Sequence, residues 1–135
     1  MIGLVVATHG TLGEVLLETL TMITGRPEKS CAVTLSRDHA PDELRARLAE
    51  AIGEVGGDGD GVLIAVDMFG GTPANVAMTL LEAGRVEVIT GVNLPMLLKF
   101  LTYRGNCPLD GLAQRLKEHA RDGILLASEV LARQA

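Results

Sequence analysis

The chain alternates short apolar runs with longer amphipathic segments, a pattern typical of βα units built around a mainly parallel sheet. The apolar runs predict four strands, at about residues 2–7, 31–35, 61–66 and 86–89. The third run is the clearest, because it is apolar throughout, as expected of a central strand covered on both faces. These runs place the core of the protein on a four-stranded sheet.

Helical spacing of apolar residues predicts the segments between and after the strands. Helices are expected at about residues 12–24, from 41 onward, at 74–82, after 95 to about 103, and at 109–121. The first is expected to bury one face, formed by Leu12, Val15, Leu16, Leu20 and Ile23. Pro41 suits a helix start, and Thr72 with Pro73 reads as an N-cap followed by a first helical residue.

The order of these elements predicts one α/β domain over residues 1–135, a doubly wound, mainly parallel sheet with strand order 2-1-3-4 and flanking helices. No repeat or linker marks a second domain. The short apolar segment 123–127 follows the last long helix, and its pattern fits a strand or a helix equally well. If left exposed it would forgo about 1.5–3 kcal/mol for each large side chain, so we expect it to be covered.

Composition and charge exclude several classes of function. The chain has 12 Lys and Arg against 17 Asp and Glu, a net charge of -5, and only 2% aromatic residues with no Trp. It therefore lacks a basic surface for nucleic acid or anionic membranes, and base stacking on aromatic side chains is not expected. No apolar run approaches the roughly 20 residues of a membrane helix, and no signal peptide is evident. We expect a soluble cytoplasmic protein with its two cysteines reduced.

The candidate chemistry lies where predicted strands end. His9 follows the first apolar run and Asp67 the third. In the order 2-1-3-4 these strands are neighbours, and ligand sites of such sheets lie outside the carboxyl ends of the strands. A carboxylate that accepts a hydrogen bond from one imidazole nitrogen leaves the lone pair of the other available for attack. The sequence thus predicts a nucleophilic histidine, although a strand-end His and Asp are also common as ordinary loop and capping residues.

The surrounding loops are rich in small residues that suit an anion. Gly10 and Thr11 precede one predicted helix, and Gly70, Gly71 and Thr72 precede another, so backbone N–H groups at two helix N-termini are expected to hold a phosphate-like group. Neither loop contains Arg or Lys, which suits a phosphoryl group that is held transiently. The Asp58 to Gly61 segment lacks the closing Glu of a calcium loop, and the cysteines lack metal spacing, so no metal is expected.

Three motifs together resemble the mannose-family enzyme IIA domain of the bacterial phosphotransferase system. They are Ala7-Thr8-His9-Gly10, Asp67-Met68-Phe69-Gly70-Gly71-Thr72-Pro73-Ala74-Asn75 and Gly91-Val92-Asn93-Leu94-Pro95-Met96. The resemblance covers residues 1 to about 103 and, more weakly, Arg121-Asp122-Gly123-Ile124. It implies a four-stranded parallel sheet and a fifth, antiparallel strand exchanged between the subunits of a homodimer.

The resemblance also implies a function. His9 would accept a phosphoryl group from the phosphohistidine of the carrier protein HPr and donate it to a histidine or cysteine of an enzyme IIB, here expected to be a separate protein. Asp67 would orient His9, and the loops containing Asn75 and Asn93 would line the site. In-line transfer between protein side chains requires no metal or organic cofactor.

Two alternatives to sugar transport remain open. The N-terminal domain of the phosphotransferase subunit that supplies dihydroxyacetone kinase has similar motifs. A regulator whose phosphorylation state controls partner binding would also need such a site. The sequence names no sugar, and it leaves the role of His39, which follows the second predicted strand, undefined. A histidine phosphatase is disfavoured, because Thr8 stands where its phosphate-binding Arg would be.

Overall fold

Four parallel strands form the centre of the protein in a computed structural model that describes residues 1–134. The strands are β1 (Gly3–His9), β2 (Ser30–Leu35), β3 (Val62–Val66) and β4 (Val86–Thr90), in the order β2-β1-β3-β4. The predicted fold class and strand order are confirmed. The pairing of Ala7 with Val66 at the ends of β1 and β3 brings the residues that follow them to the same edge of the sheet.

Helices cover both faces of this sheet, as a doubly wound fold requires. They are α1 (Leu12–Thr24), α2 (Pro41–Val55), α3 (Thr72–Met78), α4 (Leu94–Tyr103), α5 (Leu109–Asp122) and α6 (Ala127–Gln134). Alternate residues of β1 divide between the two faces. Val5 and Ala7 belong to the core beneath α2 and α3, whereas Leu4 and Val6 belong to the core beneath α1, α4 and α5. None of the helices within residues 1–134 is long and apolar enough to cross a membrane.

The buried face of α1 differs from the prediction. Leu20 is fully buried and Leu16 and Leu17 pack against the core, but the side chains of Leu12, Val15 and Ile23, predicted to lie inside, are 47–57% exposed. The helix is rotated so that Gly13 lies against β1, where an added Cβ would be 2.9 Å from the Val6 carbonyl oxygen. Close helix–strand approach at this glycine decides the orientation.

The α3 helix is also shorter than predicted. It begins one residue earlier, with Gly71 as its N-cap and Thr72 as its first residue, so the prediction that Thr72 is the N-cap was wrong. It ends at Met78 rather than near residue 82, and Glu82 instead forms an antiparallel bridge with Val86. The positive φ of Gly71, 82°, is a conformation that glycine adopts without strain, which explains why the start lies there.

Residues 123–134, the described part of the carboxyl-terminal segment, form no strand in the single chain. Residues 124–126 are irregular and α6 follows, a helix that the apolar pattern did not predict. Ile124, Leu125, Leu126 and Leu131 are all 63% or more exposed. Exchange of a fifth strand requires a second copy, so this expectation stays a prediction. Because these large apolar side chains are exposed to solvent, we expect another surface to pack against this segment.

A buried arginine holds the opposite edge of the sheet together. Arg104, at the end of α4, is 7% exposed, and its guanidinium donates hydrogen bonds to the carbonyl oxygens of Ile2, Glu28 and Lys29. These carbonyls lie at or just before the starts of β1 and β2. One side chain therefore joins α4 to the amino ends of two strands, at the far end of the sheet from His9.

Candidate active site

His9 and Asp67 form a direct hydrogen-bonded pair at the carboxyl edge of the sheet. His9 is the last residue of β1, and Asp67 follows the last residue of β3. Oδ2 of Asp67 lies 2.8 Å from Nδ1 of the imidazole and also accepts the His9 backbone N–H at 3.0 Å. The juxtaposition expected from strand order is therefore present in detail, and one carboxylate oxygen holds both the ring and the backbone of the histidine.

The environment of Asp67 favours its ionised form. Burial acts to raise the pKa of this carboxyl, but hydrogen bonds from the ring and backbone of His9, attraction to His9 and a further backbone hydrogen bond outweigh it, so the pKa is lowered. The other carboxylate oxygen, Oδ1, accepts from the Met68 N–H at 3.1 Å. An ionised carboxylate can only accept hydrogen bonds, so Nδ1 carries a proton, and in the neutral imidazole Nε2 has the free lone pair.

That free nitrogen faces the glycine loop before α3. An added Cβ at Gly71 would lie 3.7 Å from both Nε2 and Cε1 of His9, so any side chain at this position would contact the reactive edge of the ring. Gly70 and Gly71 both have φ of 82°. The His9 side chain is 48% exposed, whereas that of Asp67 is 13% exposed. A group arriving from solvent can therefore reach the imidazole, while its partner carboxylate is shielded.

The loop on the other side of His9 leads into α1. Gly10 has a φ of 54°, and Thr11 occupies the N-cap of α1 without a side-chain capping hydrogen bond. The hydroxyl of Thr8 accepts the N–H of Gly13 instead, at 2.8 Å. Sequence reasoning assigned Thr8 no role. The only available signal was that Thr8, like His9 after it, is polar in a strand that is otherwise apolar.

The two asparagines that the resemblance assigns to the site lie at the starts of helices. Asn93 is the N-cap of α4, where Oδ1 accepts the Met96 N–H at 2.9 Å and Nδ2 donates to the Ala120 carbonyl at 3.2 Å. Asn75 is exposed in α3. Among the described contacts, neither side chain bonds to His9 or Asp67. The hydrogen bonds of Asn93 join the loop after β4 to the end of α5.

Exposed apolar side chains occur in the first turns of α1, shortly after His9, and in the loop after Asp67. Met68 and Phe69 are 53% and 73% exposed, and Leu12 and Val15 on α1 are about half exposed. Large exposed apolar side chains that form a contiguous patch are typical of protein-binding surfaces. The apolar pattern indicated burial for the α1 residues, so this property of the site was missed.

The remaining candidate groups have other partners. His39 contacts Arg47, and His119 stacks on Tyr103. Asp58 and Asp60, in the segment weighed as a calcium loop, form salt bridges with the terminal amine, and Asp58 also pairs with Lys29. Both cysteines are free, and burial raises the pKa of the Cys31 thiol to about 11, which makes it a poor nucleophile at neutral pH.

Comparison with known proteins gives consistent matches over nearly the whole chain. The family EIIA-man, described as the PTS system fructose IIA component, matches residues 3–117. The fructose-specific EIIA component of Bacillus subtilis is 32% identical over 97% of this chain and 90% of its own length. The mannose-specific EIIAB component of Escherichia coli K12 is 35% identical over 91% of this chain, which corresponds to 38% of that longer protein.

Solved structures agree with these sequence matches. EIIA from Streptococcus agalactiae superimposes with a TM-score of 0.85 at 25% identity, covering 96% of this chain and 99% of that chain. The mannose/sorbose-specific IIA subunit from Enterococcus faecalis gives 0.80 at 26% identity, with 93% of both chains covered. The chain therefore belongs to the mannose family of phosphotransferase-system enzyme IIA proteins.

Proposed function

We propose that this protein is a phosphocarrier that accepts a phosphoryl group on Nε2 of His9 from the phosphohistidine of HPr and donates it to an enzyme IIB. The observation that carries the proposal is the 2.8 Å contact between Nδ1 of His9 and Oδ2 of Asp67. It directs the free lone pair of the imidazole away from the carboxylate and toward solvent. Family membership makes the protein a phosphotransferase-system component. The donor, the acceptor and the reacting nitrogen of His9 are our proposal.

The transfer step follows from that geometry. The Nε2 lone pair attacks the phosphorus, the new Nε2–P bond forms, and the P–N bond to the donor imidazole breaks with its electron pair returning to the donor ring. Phosphorylation at Nε2 leaves a protonated Nδ1, so positive charge develops on the His9 ring next to the Asp67 carboxylate. Attraction between the two stabilises the phosphorylated state. The reverse sequence of bond changes transfers the group onward.

The surroundings of His9 support transfer between proteins rather than to a small molecule. In-line transfer requires two reactive side chains to approach within bonding distance, so both must protrude or lie in an open surface. His9 is about half exposed, and the apolar residues nearby, Met68 and Phe69 among them, provide area for a protein partner. The absence of a side chain at Gly71 leaves unfilled a position 3.7 Å from Nε2, which supports access of a phosphoryl group.

The names of similar proteins favour a sugar system. One relative is named for fructose and another for mannose. We propose that this chain serves a sugar of that kind in the cytoplasm, in preference to supplying dihydroxyacetone kinase or acting only as a regulator. All three functions would use the same phosphorylated histidine, so the identity of that residue is tested first.

The test is phosphorylation with phosphoenolpyruvate, enzyme I and HPr. We expect one acid-labile phosphoryl group per chain, absent from His9→Ala. His39→Ala and His119→Ala, which remove the other two histidines, should be labelled as the unmodified protein is. Label that survives in His9→Ala and disappears in His39→Ala would refute the assignment. Transfer from the labelled protein to candidate IIB domains then identifies the acceptor.

A further inference from the structure

A buried threonine beside His9 performs the capping function that the N-cap residue of α1 does not. Thr8 is 0% exposed, and its Oγ1 accepts the Gly13 N–H at 2.8 Å. Gly13 is the second residue of α1, and the first N–H groups of a helix have no acceptor within it. An N-cap side chain normally accepts from this position, but Thr11 makes no such bond. The acceptor is supplied by the strand instead.

Close packing holds the same two residues together. An added Cβ at Gly13 would lie 2.9 Å from the Val6 carbonyl oxygen and 3.3 Å from Oγ1 of Thr8. The first turn of α1 therefore lies directly against the end of β1, at a distance that a larger residue does not permit. The hydrogen bond from Gly13 to Thr8 and the close packing of Gly13 on Val6 together hold the first turn of α1 in one position relative to β1.

This contact closes a short loop that contains the reactive histidine. Residues 9–12 lie between Thr8 and Gly13, and Gly10 in the loop has a φ of 54°. Successive side chains of a strand point to opposite faces, so Thr8 is directed toward α1 while His9 is directed toward Asp67 and Gly71. The backbone is held from one side by Thr8 and from the other by the His9 N–H bond to Asp67.

We propose that Thr8 is a positioning residue for phosphoryl transfer. Its hydroxyl restricts the loop that carries His9 and so keeps the imidazole aligned with Asp67 and with an incoming phosphoryl group. This inference rests on the proposed function of His9. Reaction rates depend steeply on alignment, since displacement by about 1 Å can cost as much as about a hundredfold. Loss of the hydroxyl should therefore affect turnover more than partner binding.

Two substitutions separate the hydroxyl from the shape of the side chain. Thr8→Val keeps the volume and removes the acceptor, whereas Thr8→Ser keeps the acceptor. In single-turnover transfer from phosphorylated HPr, we expect Thr8→Val to lower the saturating rate about tenfold with little change in half-saturating concentration. Thr8→Ser should stay within about twofold of the unmodified protein. Thr24→Val, which removes a hydroxyl bond at the other end of α1, is the matched control.

A double-mutant cycle distinguishes positioning from general destabilisation. If Thr8 acts through the His9–Asp67 alignment, Thr8→Val should cost less in an Asp67→Asn background than in the unmodified protein. Additive losses, or a folded Thr8→Val protein with the unmodified saturating rate, would overturn the proposal. If Thr8→Val does not fold, Thr8→Cys replaces it, because sulfur fills similar space but accepts hydrogen bonds weakly.

A spectroscopic readout keeps this proposal separable from the proposed function. The ¹⁵N spectrum of His9 reports which ring nitrogen carries the proton, independently of any transfer. We expect Thr8→Val to reduce the population protonated at Nδ1 and Thr8→Ser to preserve it. An unchanged His9 spectrum in Thr8→Val refutes positioning by Thr8, whereas failure of the unmodified protein to accept phosphate refutes the function.

Discussion

Oδ2 of Asp67 accepts two hydrogen bonds from His9, one from the ring at 2.8 Å and one from the backbone N–H at 3.0 Å. The same oxygen thus fixes the end of β1 and the protonation pattern of the imidazole. An asparagine cannot reproduce this arrangement: with its oxygen toward His9 the amide NH₂ faces the Met68 N–H, and with its NH₂ toward His9 it donates to the ring but opposes the backbone N–H.

Replacement of Asp67 by Asn should therefore preserve the fold and impair transfer. With its NH₂ toward the ring, the amide favours the tautomer protonated on Nε2, which then has no lone pair to attack phosphorus; in either orientation the negative charge beside the phosphorylated ring is lost. We expect single-turnover acceptance from phosphorylated HPr to fall by about 10²–10⁴-fold. Asp42→Asn makes the same chemical change at an exposed position and should have no effect. An unchanged rate in Asp67→Asn would remove this carboxylate from the mechanism.

The pH dependence of stability provides a second test of the pair. Hydrogen bonds from His9 outweigh burial and lower the pKa of Asp67 below its ordinary value of 3.8. A carboxyl with a lower pKa in the folded chain contributes stability above its unfolded pKa and loses it as the pH falls through the folded value. Urea unfolding should show the advantage of the unmodified protein over Asp67→Asn narrowing below about pH 4. A pH-independent difference would contradict the shift.

Gly71 should be needed for the space beside His9 as well as for its backbone conformation. An alanine at φ of 82° is strained by roughly 1–2 kcal/mol, and its methyl group would lie 3.7 Å from Nε2. Gly70→Ala is the matched control, since it has the same φ but no atom within 4 Å of the added Cβ. We expect similar losses of thermal stability in both variants, and a larger loss of transfer rate in Gly71→Ala. Equal rates would argue against a phosphoryl group at this position.

Arg104 should contribute to the stability of the fold and not to phosphoryl transfer. Arg104→Met leaves the Ile2, Glu28 and Lys29 carbonyls without their charged donor, which should lower the free energy of unfolding by about 3 kcal/mol. Arg115→Met, at an exposed position of α5, is the control: it loses only the contact of its guanidinium with the Tyr103 ring and should stay close to the unmodified protein. The folded fraction of Arg104→Met should accept phosphate at the normal rate, because this residue lies at the opposite edge from His9. A specific loss of transfer would show that the two edges are coupled.

The exposed carboxyl-terminal segment should be covered by a second copy of the chain. Gly123 packs against Pro95, where an added Cβ would be 2.7 Å away, so truncation should begin after it. We expect sedimentation to show a homodimer for the full chain at micromolar concentration. Deletion of residues 124–135, or Leu125→Asp, should yield monomer or aggregate. A monomeric full chain together with a soluble, active truncation would refute the exchanged segment.

Local patterns in the sequence were sufficient for the type and order of most elements. The apolar run of β3 and the bounds of α1, residues 12–24, follow from periodicity and from Gly and Pro signals within a few positions. The pair of His9 and Asp67 was also predictable, since strand order alone makes β1 and β3 neighbours. α6 was not predicted, and none of its residues is buried in the single chain.

Tertiary structure decided the features that depend on residues far apart in sequence. The side of α1 that is buried depends on close contact of Gly13 with β1, so Leu12 and Val15 remain exposed despite their helical spacing. Asn93 bonds to a carbonyl 27 residues away, and Arg104 to one 102 residues away. The sequence by itself determined which segments are strands or helices and which loops share an edge, because periodicity is local. Beyond the His9–Asp67 pair, only packing determined which polar groups meet, because a buried donor bonds to whichever acceptor the folded backbone brings within reach.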